Sequence, residues 1–140
     1  MMLPRRLFLA MPAAFAAFPV FAADVGQLTV EQAHERASTG AIVLIDIRRP
    51  EEWEATGIAA GAVPIDMRAR DLGARIDAAL GGNRDAPVAL ICHSGVRSHH
   101  LSEAMAKAGF TQIYDVGEGM AGSSHGPGWL KRGLPVERPQ

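Results

Sequence analysis

The chain has 140 residues, 48% hydrophobic and 21% charged, with a formal net charge of −1. That is the composition of a globular protein, and the length accommodates one core rather than two. The near-neutral balance provides no basic surface for nucleic acid, and a single cysteine excludes an intramolecular disulfide and a cysteine-based zinc site.

Residues 1–22 predict a cleaved signal peptide. Met1 to Arg6 holds two arginines and no acid, Leu7 to Phe21 is apolar and uncharged, and Val20-Phe21-Ala22 places small or modest residues at −3 and −1. Cleavage after Ala23 would instead put Phe21 at −3. The apolar run of about 15 residues falls short of the roughly 20 that span a bilayer, so no stable membrane anchor is expected. Arg5-Arg6-Leu7-Phe8-Leu9 is similar to the twin-arginine export motif, but Pro4 and Ala10 do not match its flanks. General secretory and twin-arginine export both stay open. Either route predicts a periplasmic or secreted single domain, residues 23–140.

Thr29-Val30-Glu31-Gln32 reads as a capping box opening a helix that ends near Ser38, with Val30, Ala33 and Ala37 as its apolar stripe and His34 on its solvated side. Ile42 to Ile47 is apolar up to Asp46, without alternation, which predicts a strand covered on both faces. Arg48-Arg49-Pro50 forces a turn into a short helix over Glu51–Ala55, its acids suiting the helix dipole. Ala62-Val63-Pro64-Ile65 predicts a short or edge strand, because Pro64 has no N–H to give. Leu72, Ile76, Ala79 and Leu80 give a helical spacing within Arg68–Leu80. A buried strand, Pro87 to Ile91, leads to Cys92. A helix from Ser98 follows, with Leu101, Ala104, Met105 and Ala108 on one face and Gly109 closing it. Gln112 to Val116 is a further strand, and a Gly-rich loop runs from Gly117 to Gly128. Alternating strands and helices predict an α/β fold with a mainly parallel sheet and helices on both faces. Sites in such sheets lie at the carboxyl ends of strands, where Asp46 and Cys92 stand.

The stretch Cys92-His93-Ser94-Gly95-Val96-Arg97-Ser98 joins a buried strand to a helix start, a layout that aims backbone N–H groups at an anion. A thiol attacks as thiolate, from a free pKa of about 8.5. Ionising it near neutral pH needs roughly two units, or about 2.7 kcal/mol, more than a helix dipole supplies alone (~0.3–2 kcal/mol). Inward-facing N–H groups from His93 to Ser98 and the charge of Arg97 are the means available. Gly95 permits the left-handed backbone such a turn uses. In an oxidising compartment a lone thiol is either buried or used, so a core cysteine is the plain alternative.

Cys92-x-x-Gly95-x-Arg97-Ser98 resembles the active-site loop of rhodanese-like sulfurtransferases. Leu44-Ile45-Asp46-Ile47-Arg48 with Glu51-Glu52-Trp53 is similar to that family's D-x-R-x-x-x-E-[FW] signature, and Gly61-Ala62-Val63-Pro64-Ile65 to its G-A-x-x-I strand. Gly109-Phe110, Gly117-x-Gly119-Met120 and Gly133-Leu134-Pro135-Val136 resemble its later elements. The resemblance covers nearly all of residues 23–140 and implies a rhodanese-like three-layer fold. It also implies a Cys92 persulfide, formed from thiosulfate or another persulfide donor and passed to cyanide or a thiol, with no cofactor. His93, Ser94, Gly95, Val96, Arg97 and Ser98 would bind the donor, Arg97 either holding the loop, meeting a sulfonate or forming a structural ion pair. Asp46 and Arg48 would support fold and loop. Cysteine-dependent phosphatases have five residues between Cys and Arg. The four here shorten the loop by up to about 3.5 Å, which suits sulfur better than a phosphoryl group.

There are departures. Ile58 stands where the family often has His, Glu118 interrupts the usual Gly-Gly pair, and Ala121–Gly128 lengthens the loop before Trp129, placing His125 either near the donor or on the surface. Adjacent His99 and His100 make a poor chelate, so no metal is expected. Two other classes are open: a persulfide carrier serving a periplasmic protein partner, and a redox- or copper-responsive thiol protein.

Overall fold

The computed structural model describes residues 16, 17, 19 and 21–140. The signal-peptide and export-route expectations fall mostly outside these residues. In chain order the elements are β1 (Gly26–Gln27), α1 (Val30–Ser38), β2 (Val43–Asp46), α2 (Pro50–Thr56), β3 (Ile58–Ala59) and β4 (Val63–Pro64). Then come α3 (Leu72–Ala79), β5 (Val88–Ile91), α4 (Val96–Lys107), β6 (Ile113–Asp115) and β7 (Val136–Glu137). Five strands form a wholly parallel sheet in the order β1-β6-β5-β2-β4, and β3 and β7 make a separate antiparallel pair. Pro64 lies on the edge strand, where its missing N–H costs no ladder bond.

The unbroken apolar runs occupy the centre of this sheet because both of its faces are covered. Ile45, Val88, Leu90 and Cys92 face α3 and α4, meeting Ile76, Leu80, Met105 and Ala106. Leu44, Ala89 and Ile91 face the other way, onto Val30 and Ala33 of α1 and onto Trp129. The mixed α/β, three-layer architecture is the one the alternation of elements predicts. The capping box of α1 forms as read: the Gln32 N–H donates to Thr29 Oγ1 (3.1 Å) and the Thr29 N–H to Gln32 Oε1 (3.0 Å).

Several details differ. The strands β1, β3 and β7 are two residues each, too short to carry a period. Helix α3 starts at Leu72 rather than Arg68, because Asp66 takes the Arg68 N–H into a tight turn (2.9 Å). Helix α4 begins at Val96, with left-handed Gly95 (φ 85°) as its N-cap. Its buried face is Ser98, Ser102, Met105 and Ala106, while Ala104 and Ala108 are exposed. The buried face is thus turned from the expected stripe, and two serines share it with Met105 and Ala106. His34 is half-buried rather than solvated, its ring edge-on to Trp129 with centroids 5.5 Å apart.

Candidate active site

Cys92 follows the last residue of β5 and is 1% exposed. Two backbone donors converge on its Sγ, the N–H of Gly95 (3.2 Å) and the N–H of Ser98 (3.4 Å). The Cys92 thiol donates to Ser98 Oγ (3.4 Å), and the Ser98 hydroxyl donates to the Gly95 carbonyl (3.2 Å). The sulfur therefore sits at the N-terminus of α4, where exposed N–H groups and the helix dipole both favour negative charge.

The loop backbone is propped from behind. Met120 N–H donates to the Cys92 carbonyl and Ala121 N–H to the His93 carbonyl, each at 2.9 Å. Clearance there is nil: a side chain on Gly95 would strike the Gly117 carbonyl, and one on Gly119 would strike the His93 carbonyl.

The sequence-predicted residues divide by role. Gly95 and Ser98 supply the N–H groups at sulfur. Ser94, Gly95 and Val96 border a cleft, and Val96 is 60% exposed. His93 stands outward at the rim, Nδ1 4.0 Å from Glu52 Oε1. Arg97 turns to Glu52 of α2, donating from both terminal nitrogens (2.9 and 2.7 Å). Those hydrogen bonds hold the Glu52 carboxyl down to about 2 against the opposing effect of burial, helped by the Arg49 N–H. Arg97 forms an ion pair with Glu52 that ties the loop to α2.

Asp46 and Arg48 are both 0% exposed and paired at 2.8 Å. Arg48 also donates to Thr56 Oγ1 (2.9 Å) and to the Gly57 carbonyl (2.8 Å), fixing the end of α2. Glu52 thus stands on a helix that Arg48 anchors, and it holds Arg97 in turn.

The cleft, about 470 Å³, opens beside Gly95 and Val96 and is walled by Gln27, His99, Asp115 and His125. The ring of His125 packs on Gly117, so the Ala121–Gly128 loop does border the site. Burial pushes the Asp115 carboxyl up, opposed by Ser98, His99, Gln27 and His125. A second cavity, about 550 Å³, lies between α2 and β7 and involves none of the residues from Cys92 to Ser98. Among the described residues, no group of three or more His, Cys, Asp or Glu is placed to hold a metal ion.

Glu52 and Asp115 carry more of the site than their local sequence announces. Glu52 reads as a first-turn acid and as the Glu of the D-x-R-x-x-x-E-[FW] resemblance, and neither reading points to Arg97. Asp115 ends a parallel strand, the same signal that drew attention to Asp46.

The family model for the rhodanese-like domain matches residues 29–124. The chain belongs to the rhodanese-like domain family. The match takes in the Asp46–Arg48 turn, the Cys92 loop and Asp115, and ends inside the Ala121–Gly128 loop. This rhodanese-like chain is 29% identical over 99 residues to uncharacterized protein YibN of Escherichia coli K12. That alignment covers 69% of the chain and 61% of YibN, so the chain spans about three fifths of this relative. In fold it is similar to the polysulfide-sulfur transferase homodimer of Wolinella succinogenes (TM-score 0.65, 24% identity, 83% of this chain and 80% of that one). A rhodanese-related protein of Thermoplasma volcanium is also similar (TM-score 0.59, 23% identity, 80% and 97%).

Proposed function

We propose that this rhodanese-like domain is a sulfurtransferase that carries sulfane sulfur as a persulfide on Cys92. The observation that carries the reading is the pair of backbone N–H groups aimed at a buried Sγ on the carboxyl end of a central parallel strand. Membership of the family supports sulfur transfer at the level of reaction class.

In the first half-reaction the Cys92 thiolate attacks the outer sulfur of thiosulfate. The S–S bond of the donor breaks, sulfite leaves with its electron pair, and Cys92 keeps one added sulfur. In the second, cyanide or a thiolate attacks that sulfur, the persulfide bond breaks, and the Cys92 thiolate returns. No external oxidant or reductant is consumed in this ping-pong sequence. Loss of the thiol proton frees the Ser98 hydroxyl to donate to sulfur, adding a third hydrogen bond to those of Gly95 and Ser98 N–H. Arg97, committed to Glu52, shapes the loop rather than binding the donor. A polysulfide is a second donor to test, given the activity named for the Wolinella protein. The proposed setting is outside the cytoplasm, on the strength of residues 1–22. The exposed rim of His93 and Val96 supports a related reading in which the acceptor is a thiol on a partner protein.

Intact-mass spectrometry after anaerobic incubation with thiosulfate or polysulfide tests the reading. The expected result is gain of one sulfur atom, lost on adding cyanide and never seen in Cys92→Ser. A wild-type protein that folds and gains no sulfur from either donor overturns it. Thiocyanate formation that stays slow while transfer to a protein thiol is fast selects the carrier reading.

A further inference from the structure

We infer that Glu118 is a positioning residue for the Cys92 loop. Its buried carboxylate fixes the Gly117–Gly119 backbone against which residues 93–95 are set, and so fixes the N–H groups aimed at Sγ. This deepens the sulfurtransferase reading, and its bearing on turnover rests on that reading.

The residues on either side of Glu118 are the ones that meet the loop. A side chain on Gly95 would strike the Gly117 carbonyl, and one on Gly119 would strike the His93 carbonyl. The next two residues, Met120 and Ala121, donate their N–H groups to the Cys92 and His93 carbonyls. Glu118 supplies the only side chain within Gly117-Glu118-Gly119, so any side-chain anchor for that tripeptide from within must be its carboxylate.

That carboxylate is 3% exposed and is held from separate parts of the chain. Oε2 accepts the N–H of Val30 (3.0 Å), the first residue of α1, a group with no partner inside its own helix. Oε1 accepts Nε and Nη2 of Arg132 (2.9 and 2.8 Å). Gly126 of the lengthened loop lies so near that a side chain there would strike Oε1. Burial pushes the Glu118 carboxyl up, but the Val30 N–H, Arg132 and the Gly128 backbone outweigh it and hold it below the ordinary carboxylate range. Glu118 is therefore an anion with fixed partner directions. A buried ion pair is a weak source of net stability beside apolar packing. What this one supplies is direction, and the backbone it directs is the brace of the Cys92 loop.

Positioning and charge act on the thiol with opposite signs. By charge alone, neutralising Glu118 would favour the thiolate and lower the Cys92 midpoint. Loss of the brace lets the Gly95 and Ser98 N–H groups drift from Sγ, which disfavours the thiolate and raises the midpoint.

The test is the pH dependence of iodoacetamide alkylation of Cys92 in the unloaded protein, whose midpoint reports thiol acidity rather than access. Glu118→Gln keeps the shape but offers one acceptor oxygen to two sets of donors. Its midpoint is expected about one unit above wild type. Initial loading by thiosulfate at pH 7 should slow by up to about tenfold, in step with the thiolate fraction. Ile42→Val, in the α1 layer but beside the amino end of β2, loosens the core away from the brace, and its midpoint should match wild type. A folded Glu118→Gln with an unchanged or lowered midpoint overturns the proposal, as does an equal rise in Ile42→Val. Should Glu118→Gln fail to fold, Arg132→Lys decides. It keeps the charge at a position 34% exposed but loses the two-nitrogen fork on Oε1. A rise of about 0.3 unit is expected, about twofold in thiolate, and a midpoint equal to that of wild type overturns the proposal. The midpoint is read without a sulfur donor, so the two readings fail separately. Wild type that never loads removes sulfur transfer, whereas loading with an unmoved midpoint in the variant removes this inference only.

Discussion

At Asp46–Arg48 and again at Asp66–Arg68, the aspartate accepts the backbone N–H of the arginine two residues on (3.1 and 2.9 Å). The guanidinium then folds back, placing its terminal nitrogen 2.8 Å from Oδ2 in both. The first pair is 0% exposed, whereas at the second Arg68 is 50% and Asp66 22% exposed. Depth decides what each pair does. Arg48, having satisfied Asp46, still reaches Thr56 and the Gly57 carbonyl, so it fixes α2 and with it the Glu52 that holds Arg97. Arg68 holds only its own turn. Identical local chemistry supports the Cys92 loop in one place and only a surface turn in the other, because β2 is interior to the sheet and β4 is an edge.

Breaking the buried pair should have the largest effect. Arg48→Met strips the buried Asp46 carboxylate of its charged partner, leaving it only the backbone N–H of residue 48, and should cost about 3–5 kcal/mol in urea unfolding. A loss under about 1 kcal/mol would mean that depth does not separate the two pairs. Thr56→Val sharpens the same point by removing one partner of Arg48; about 1–2 kcal/mol is expected from the unfolding midpoint.

Acid titration examines the next link. The Glu52 carboxyl sits at about 2 when folded against an ordinary 4.5. Its contribution to stability is complete above about pH 4.5 and is lost as pH falls towards 2. Glu52→Gln should lack that segment, so the wild-type advantage in unfolding free energy, on the order of 1 kcal/mol at pH 6 after screening of this part-exposed pair, should vanish near pH 2. An advantage independent of pH would assign Glu52 a packing role instead. The smallest effect belongs to Arg68→Ala, within about 0.5 kcal/mol of wild type by the same urea assay.

Much of this was legible because it is local. The capping box of α1, the unbroken runs of β2 and β5, and the spacing from Cys92 to Arg97 each lie within a few residues. The depth of a turn is only partly local: Asp46 and Asp66 have the same spacing to their arginines, and the signs that separate them lie in the strands before, the unbroken run of β2 and Pro64 of β4. The Arg97–Glu52 pair joins residues 45 apart, so nothing in either neighbourhood announces it. The serine-lined face of α4 escaped because an apolar stripe is the usual mark of a buried helix face. Here that face mixes Ser98 and Ser102 with Met105 and Ala106.

The glycine contacts behind the loop have an evolutionary consequence. Gly95 abuts the Gly117 carbonyl and Gly119 abuts His93, so the span from Cys92 to Arg97 is gripped by backbone from a different part of the chain. Inserting one residue to give the longer phosphatase-type loop would drive it into that backbone. Passage from this loop to the longer form would take concerted change at residues 93–97 and 117–121. A single insertion gives a misfitted loop, and the short form is a local trap in sequence space.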